Sequence, residues 1–322
     1  VIYVVLFLIS FSLTYFIKNY ALKKSLLAEV NERSSHTAPT PHGGGLAIAF
    51  TWFLGLSYLY YNNDINASLY FALMVGVLLS CVSYLDDLFE LSPKIRLITQ
   101  AIVAFFGLYF LGGLEKIDFI FFVIENQIIT NTLAFLTIIW FINLYNFLDG
   151  IDGYAGSEAV FLSMAAFILF GDAHFLVLAT AVLGFLVWNW HKARIFMGDV
   201  GSTLLGYNVA VFTIYYANAQ SSNLWIWIIL FGLFWFDATL TLYRRAKNKE
   251  KLSQAHKKHA YQRLVQSGWA HDKVVVFSML VNLALFALVY YISSIAVAFA
   301  VAVCMLYLCM KYVDKKKDFF DI

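Results

Sequence analysis

The sequence predicts an all-α membrane protein that crosses the bilayer many times, and three observations carry that reading. The 322-residue chain is 61% hydrophobic and only 13% charged, where a water-soluble domain has about a quarter of its residues charged; its mean hydropathy is +0.74. Apolar runs of roughly 17–25 residues recur, each long enough to cross a hydrocarbon core of about 30 Å as a helix. No ten-residue alternation marks a barrel, and a helix satisfies its own backbone hydrogen bonds in lipid.

Spans are expected at about 1–17, 45–61, 68–85, 96–112, 131–145, 157–171, 175–190, 203–217, 223–243, 273–292 and 295–312, ten or eleven helices in a single domain over 1–322. The first run continues into KNYALKK without a small-residue cleavage site, so it reads as a span and not as a removable signal. The second opens after a three-glycine turn, the third and fourth flank DDLFELSPKIR, and the fifth and sixth flank NFLDGIDG. The eighth follows RIFMGDVGS, the ninth ends in two arginines, and the last two follow a long basic loop. An odd number of spans places the termini on opposite sides. One set of loops then holds 21 of the 22 Lys and Arg residues, and the other holds Lys116 alone. Excess Lys and Arg stay in the cytoplasm, so the N-terminus is expected outside and the C-terminal KKKDFFDI inside. The longest outer loop, 113–130, carries an apolar run too brief to span and is expected to form an external hairpin or an interfacial segment. Cys81, Cys304 and Cys309 fall inside apolar spans without CxxC spacing and read as small buried hydrophobes.

Every polar motif with chemical potential lies on the basic side, in loops at about 18–44, 86–96, 146–156, 191–202 and 244–272. RSSHTAPTPHGGG (33–45) breaks helix periodicity with Pro39, Pro41 and three glycines. Its N–H groups could approach a phosphate, or the run could be only a tight turn into the membrane. Asp86 and Asp87 end the third span; adjacent carboxylates at a membrane edge repel and call for a cation or a shared proton, unless they are an interfacial acidic cap with Lys94 and Arg96 as snorkelling partners. In NLYNFLDGIDGYAG, a helical 146–153 would put Asn146, Asp149, Gly150 and Gly153 on one face with Asp152 at its flank. Asp199 sits between glycines after Lys192 and Arg194. Five aspartates thus gather at one membrane face, and oxygen donors of this kind suit Mg²⁺ or Mn²⁺ held jointly with a diphosphate. In the 244–272 loop a helical 256–263 would bring His256, His259 and Arg263 together. Beside Lys257 and Lys258 that trio fits phosphate better than metal, the alternative being a solvated basic helix. Asp237 lies inside the ninth span, as a functional acid or as a structural hydrogen bond.

DDLFELSPKIR, NFLDGIDG, RIFMGDVGS and HKKHAYQRL, in that order on one face of an eleven-span chain, resemble the polyprenyl-phosphate N-acetylhexosamine-1-phosphate transferases over about residues 33–272. AHKKHAYQRL is closer to the O-antigen-initiating branch than to the phospho-N-acetylmuramoyl-pentapeptide translocase branch. The resemblance implies transfer of a sugar phosphate from a UDP-sugar to undecaprenyl phosphate with release of UMP, with Mg²⁺ as cofactor. It also implies a multi-pass protein of the bacterial inner membrane, with membrane lipid but no nucleic acid as partner and a homodimer as a reasonable assembly. Residue by residue, it implies Asn146 and Asp199 as metal ligands, Asp86 as the carboxylate that handles the lipid phosphate and Asp87 as its structural or metal-assisting neighbour. Asp152 and Asn189 would line the uracil pocket, Lys94 and Arg96 would grip the diphosphate, and His256, His259 and Arg263 would cover the sugar and phosphates. Asp149 would support the metal ligands. Lys192 stands where many relatives have proline.

The expected function is therefore transfer of an N-acetylhexosamine 1-phosphate, from UDP-GlcNAc or a UDP-6-deoxy-HexNAc, to undecaprenyl phosphate, initiating O-antigen or another surface glycan. The neighbouring alternative is the pentapeptide-translocase reaction of peptidoglycan synthesis. A cation-coupled transporter is the alternative from another class; such proteins place ionisable groups near the bilayer midplane, whereas here only Asp237 lies within a span.

Overall fold

The computed structural model describes residues 1–24, 27–28, 40–119, 122–252, 254 and 256–320; Arg33 and Pro39 of the first glycine-rich motif lie outside them. The chain is helical almost throughout: α1 Ile2–Lys23, α2 Gly45–Tyr61, α3 Ala67–Met74, α4 Gly76–Phe89, α5 Pro93–Leu111, α6 Gln127–Phe147, α7 Tyr154–Phe170, α8 Ala173–Asn189, α9 Asp199–Ala219, α10 Ser222–Leu230, α11 Gly232–Lys247, α12 Ala260–Gln266, α13 His271–Tyr291 and α14 Ile295–Lys316. Local chemistry sets several starts. The Asn66 side chain accepts the Ser68 N–H to begin α3, Ser92 followed by Pro93 opens α5, and Asn126 accepts from Ile128 and Ile129 to open α6.

Each expected span coincides with a helical segment. Among the described residues six are long and apolar enough to cross a bilayer unaided: α1, α3 and α4 taken together, α5, α6, α13 and α14. The pair α10 and α11 makes a seventh, bent by 75°. The apolar helices α2, α7 and α8 are shorter and half-buried, and the more polar α9 is enclosed by other helices. In α9, 17 of 21 residues are buried, with α6 and α4 lying along it and α2 and α10 beside it. Small residues permit this enclosure, as at other helix contacts in membranes. A Cβ on Gly45 would run into the Gly201 backbone, and one on Gly206 into the Phe141 carbonyl. The 113–130 loop contains an antiparallel hairpin of β3 (Ile117–Phe119) and β4 (Phe122–Ile124), the first of its two expected forms. Cys81 and Cys304 are exposed on the helix surfaces rather than buried, and Cys309 is intermediate.

Candidate active site

The site is built around the N-terminus of α9, where four helix ends meet. α4 stops at Phe89, Glu90 turns the chain with φ 49°, and α5 starts at Pro93, so the last turn of α4 faces the first turn of α5. Arg96 thereby reaches Asp86, with its Nη1 3.3 Å from Oδ2, while the Leu91 N–H donates to Asp86 Oδ1 at 2.7 Å. Lys94 is exposed. Residues two apart on a helix point about 200° away from each other, so only one of this basic pair can face the acids. The structure brings Arg96 to them and leaves Lys94 outside.

Asp87 points the other way along the same turn, and its Oδ1 accepts the Asp199 N–H at 3.2 Å. A carboxylate here meets the exposed amides and positive end of the α9 dipole. Gly198 makes the approach possible, since a Cβ there would sit 2.8 Å from Asp87 Oδ2. Asn146, in the last turn of α6, donates to Asp199 Oδ1 at 2.9 Å and to Ser202 Oγ at 3.1 Å. One turn earlier Asn143 exchanges amide hydrogen bonds with Gln100 of α5, at 2.7 and 3.3 Å.

The helical reading of 146–153 is corrected. α6 ends at Phe147, and 148–153 form a turn that closes with Gly153 at φ 73° before α7 begins. The glycines release the chain from the helix. Tyr145 closes the reversal by donating to the Ala155 carbonyl at 2.8 Å. Asp149 still joins the acids: burial first, then the charges of Asp199 and Asp87, pushes its carboxyl up to about 7.

Asp86, Asp87, Asp149 and Asp199 thus share one site, and among the described residues the one permanent cation paired with them is Arg96. Asp87 Oδ2 is buried without a hydrogen-bond partner. A buried, unsatisfied carboxylate oxygen among other carboxylates fits a bound cation, and an all-oxygen donor set fits a hard divalent one. Asp199, Asp87 and Asn146 are the groups placed to hold it. Beside them opens a cleft of about 290 Å³, with Arg96, Gln100, Asn143, Asn146, Asp199 and Thr203 on its polar wall. Leu97 and Phe147 form its apolar side, and both are exposed on the helix surface.

The basic loop docks on the rim of this cleft. Tyr261 donates to the Phe147 carbonyl at 3.2 Å, and Gly150 leaves room for the phenol, since any Cβ there would meet it. Asp237 is the anchor: its two oxygens accept the Ala260 N–H, each at 2.9 Å, Oδ1 accepts from Thr241 at 3.0 Å, and His259 Nδ1 lies 3.5 Å away. It is a cap for α12, the structural one of its two readings. Arg245, 2% exposed, ties down the preceding segment through the Lys251 and Gln254 carbonyls and Glu250.

The expected trio of His256, His259 and Arg263 is split, because α12 starts only at Ala260. The two imidazoles stay together, 4.8 Å between centroids, and His259 lies over Phe147 at 6.4 Å. Burial, with the charges of His259 and Arg245, pushes His256 down to about 3, so the imidazole is neutral in this fold. Arg263 is fully buried and faces α14. Its Nη1 donates to Asp314 at 2.7 Å and to the Lys317 carbonyl at 3.1 Å. The structure does not bring Arg263 to the acids.

Asp152 and Asn189 lie apart from the acid cluster. Asn189 is a strut between loops, accepting the Gly153 N–H at 3.0 Å and donating to the Ile195 carbonyl at 2.9 Å. Asp152 Oδ2 meets Nδ1 of His191 at 2.8 Å and of His271 at 3.2 Å. Sequence reading missed both histidines. His191 stood within the NWHKAR motif, two residues beyond Asn189; His271 had no local signal, lying 119 residues from Asp152. The glycine run proves to be a turn: the Gly44 and Gly45 N–H groups donate to the Phe196 and Met197 carbonyls at 2.9 and 2.8 Å, so they are not turned toward a phosphate.

Comparisons with known proteins converge on one group. The glycosyl transferase family 4 profile matches residues 68–217, from α3 through most of α9. A Bacillus subtilis protein described as a probable undecaprenyl-phosphate N-acetylglucosaminyl 1-phosphate transferase is 30% identical over 285 residues, covering 84% of this chain and 78% of that protein. The undecaprenyl-phosphate alpha-N-acetylglucosaminyl 1-phosphate transferases of Thermotoga maritima and Escherichia coli K12 are 27% and 28% identical, covering 86% and 84% of this chain and 86% and 77% of their own lengths.

Proposed function

The chain belongs to the polyprenyl-phosphate N-acetylhexosamine-1-phosphate transferase family of glycosyl transferases, and from that premise we propose that it transfers an N-acetylhexosamine 1-phosphate from a UDP-sugar to undecaprenyl phosphate. The products are undecaprenyl-diphospho-sugar and UMP, and the sugar is GlcNAc or a 6-deoxy-HexNAc that initiates O-antigen or a related surface glycan. The motif face is cytoplasmic in this reading, with the N-terminus outside the inner membrane.

The observation that carries the proposal is the gathering of Asp86, Asp87, Asp149 and Asp199 with Arg96 and Asn146 at the mouth of a cleft that is polar on one wall and apolar on the other. That mouth suits a reaction between a lipid phosphate, arriving along the apolar side, and a diphosphate arriving from water. An oxygen of the lipid phosphate attacks the sugar-bearing phosphorus. The bond from that phosphorus to the bridging oxygen breaks, and UMP departs with the electron pair. The lipid phosphate is already an anion at neutral pH, so positioning and charge neutralisation matter more than a strong base. Asp86 is fixed by the Leu91 N–H and Arg96, which suits it to orient the acceptor. Arg96 offers its remaining N–H groups to phosphate oxygens in the cleft. Mg²⁺, held by Asp199 with Asn146 and Asp87, would supply charge neutralisation of the diphosphate.

The test is UMP release by the purified protein from a panel of UDP-HexNAc donors with undecaprenyl phosphate and Mg²⁺, with mass analysis of the lipid product. Asp199→Ala should abolish release while leaving the protein folded. Absence of UMP from every donor would refute the proposal, and the donor that turns over identifies the sugar.

A further inference from the structure

Phe319 is a phenyl ring buried outside the apolar core. It follows α14, is 2% exposed while its neighbour Phe320 is 66% exposed, and joins neither of the two apolar clusters that pack the helices together. What surrounds it is charge. Arg244 at the end of α11, Lys258 just before α12 and Arg263 within α12 place their cationic centres 5.3, 5.3 and 5.5 Å from the ring centre. A cation at that distance is drawn to the negative face of an aromatic ring, more strongly where water is excluded, and all three side chains are mostly buried. The local charge balance shows why such a partner is needed. Arg244 and Arg263 share Asp314, and Arg245 and Lys258 share Glu250, so among the described residues four cations meet two acids. A saturated side chain of similar bulk would fill the space of the ring and offer that excess charge nothing. The backbone beside the ring is fixed as well, since Arg263 Nη1 donates to the Lys317 carbonyl at 3.1 Å and the Phe320 N–H donates to Asp318 Oδ1 at 2.8 Å.

We propose that Phe319 is a positioning residue for the donor: its ring ties together three parts of the basic loop and thereby holds His259 and Tyr261 at the rim of the cleft. This rests on the UDP-sugar reading above. The chain of contacts is short. Lys258 directly precedes His259, which lies over Phe147; Tyr261 donates to the Phe147 carbonyl, and Phe147 lines the cleft. Losing one cation leaves two on the ring, whereas losing the ring unties all three segments from one another. α12 has only seven residues, too few to hold a helix in place by its own hydrogen bonds. Asp86, Asp87, Asn146 and Asp199 are borne by α4, α6 and α9, outside the loop. Loosening the loop therefore weakens capture of the donor more than it slows the chemical step.

The experiment follows amide hydrogen exchange of the full chain in detergent, together with UMP-release kinetics, for Phe319→Leu, Phe319→Tyr and Phe320→Leu. Leucine keeps an apolar bulk and removes the aromatic face; tyrosine keeps the face. In Phe319→Leu the amides of Ala260–Gln266 should exchange about tenfold faster, the equivalent of losing one or two cation–ring contacts. The buried amides of α9 should keep their protection and show the rest of the fold intact. The KM for the UDP-sugar should rise about tenfold while kcat stays within about threefold. Phe319→Tyr should recover most of both, and Phe320→Leu should change neither. Wild-type exchange of α12 in Phe319→Leu overturns the proposal, as does equal loosening in Phe319→Leu and Phe319→Tyr, which would make the ring a mere filler. Loss of α9 protection in Phe319→Leu overturns it too, since the ring would then hold the whole fold and not the loop. Faster α12 exchange with an unchanged KM removes the positioning role. Should the exchange pattern appear as described while the wild type releases no UMP from any UDP-sugar, the loop anchor stands and the assigned reaction fails.

Discussion

Replacing Arg263 by alanine separates two roles for one residue. By resemblance the guanidinium belongs over the substrate phosphates; in the fold it is fully buried against α14, bonded to Asp314 and the Lys317 carbonyl, with Nη2 3.0 Å from Met310 Sδ and the guanidinium carbon 5.5 Å from the Phe319 ring centre. Breaking a buried ion pair costs about 3–5 kcal/mol when the partner charge is stranded. Asp314 is not stranded, because Arg244 holds both its oxygens at 2.8 and 2.9 Å. The loss reduces to one charged hydrogen bond, a carbonyl contact and the stem's packing, about 2–3 kcal/mol. Tryptophan-fluorescence unfolding in detergent should show Arg263→Ala destabilised by that amount, and Arg263→Lys recovering only part, since an ammonium cannot reach all three partners. UMP release well below the melting transition should keep kcat and KM within about threefold. An unchanged melt with a 100-fold loss of turnover would refute the anchoring role and return Arg263 to the phosphates.

Three further outcomes follow from the geometry. Arg96→Ala should lower UMP release by about 10²–10³-fold, as expected for loss of a preorganised phosphate donor, whereas Lys94→Ala should stay within about threefold; equal effects in the same kinetic assay would contradict the helix-face argument. In metal-free protein the raised Asp149 carboxyl, at about 7, contributes stability that is fully present below its unfolded value of about 4 and is lost as pH rises through 7. Added Mg²⁺ should therefore raise the melting temperature more at pH 8 than at pH 6, and a pH-independent increment would count against the carboxylate cluster as the binding site. Gly45→Ala forces a methyl into the Gly201 backbone, an overpacking of backbone on backbone that costs about 1–3 kcal/mol or more; size-exclusion chromatography should show a large fall in monodisperse protein.

Chemistry that is local or periodic was legible in the chain by itself. Lipid-length apolar runs mark the spans, which coincide with helical segments in the structure. The one-sided charge and the loop motifs marked where the acids would meet; Asn146 and Asp199, 53 residues apart, were paired only by the family resemblance of their motifs, and they lie 2.9 Å apart. Helix geometry alone could also have chosen Arg96 over Lys94, had the α4–α5 turn been foreseen. Tertiary structure decided whatever depends on which distant group a polar side chain meets. Arg263 pairs with an acid 51 residues away and not with the phosphate loops, Asp237 spends its charge on the α12 N-terminus, and His271 reaches Asp152 across 119 residues. The physical reason is that a buried charge must be neutralised by whatever packing brings to it, and periodicity along the chain carries no information about that neighbour.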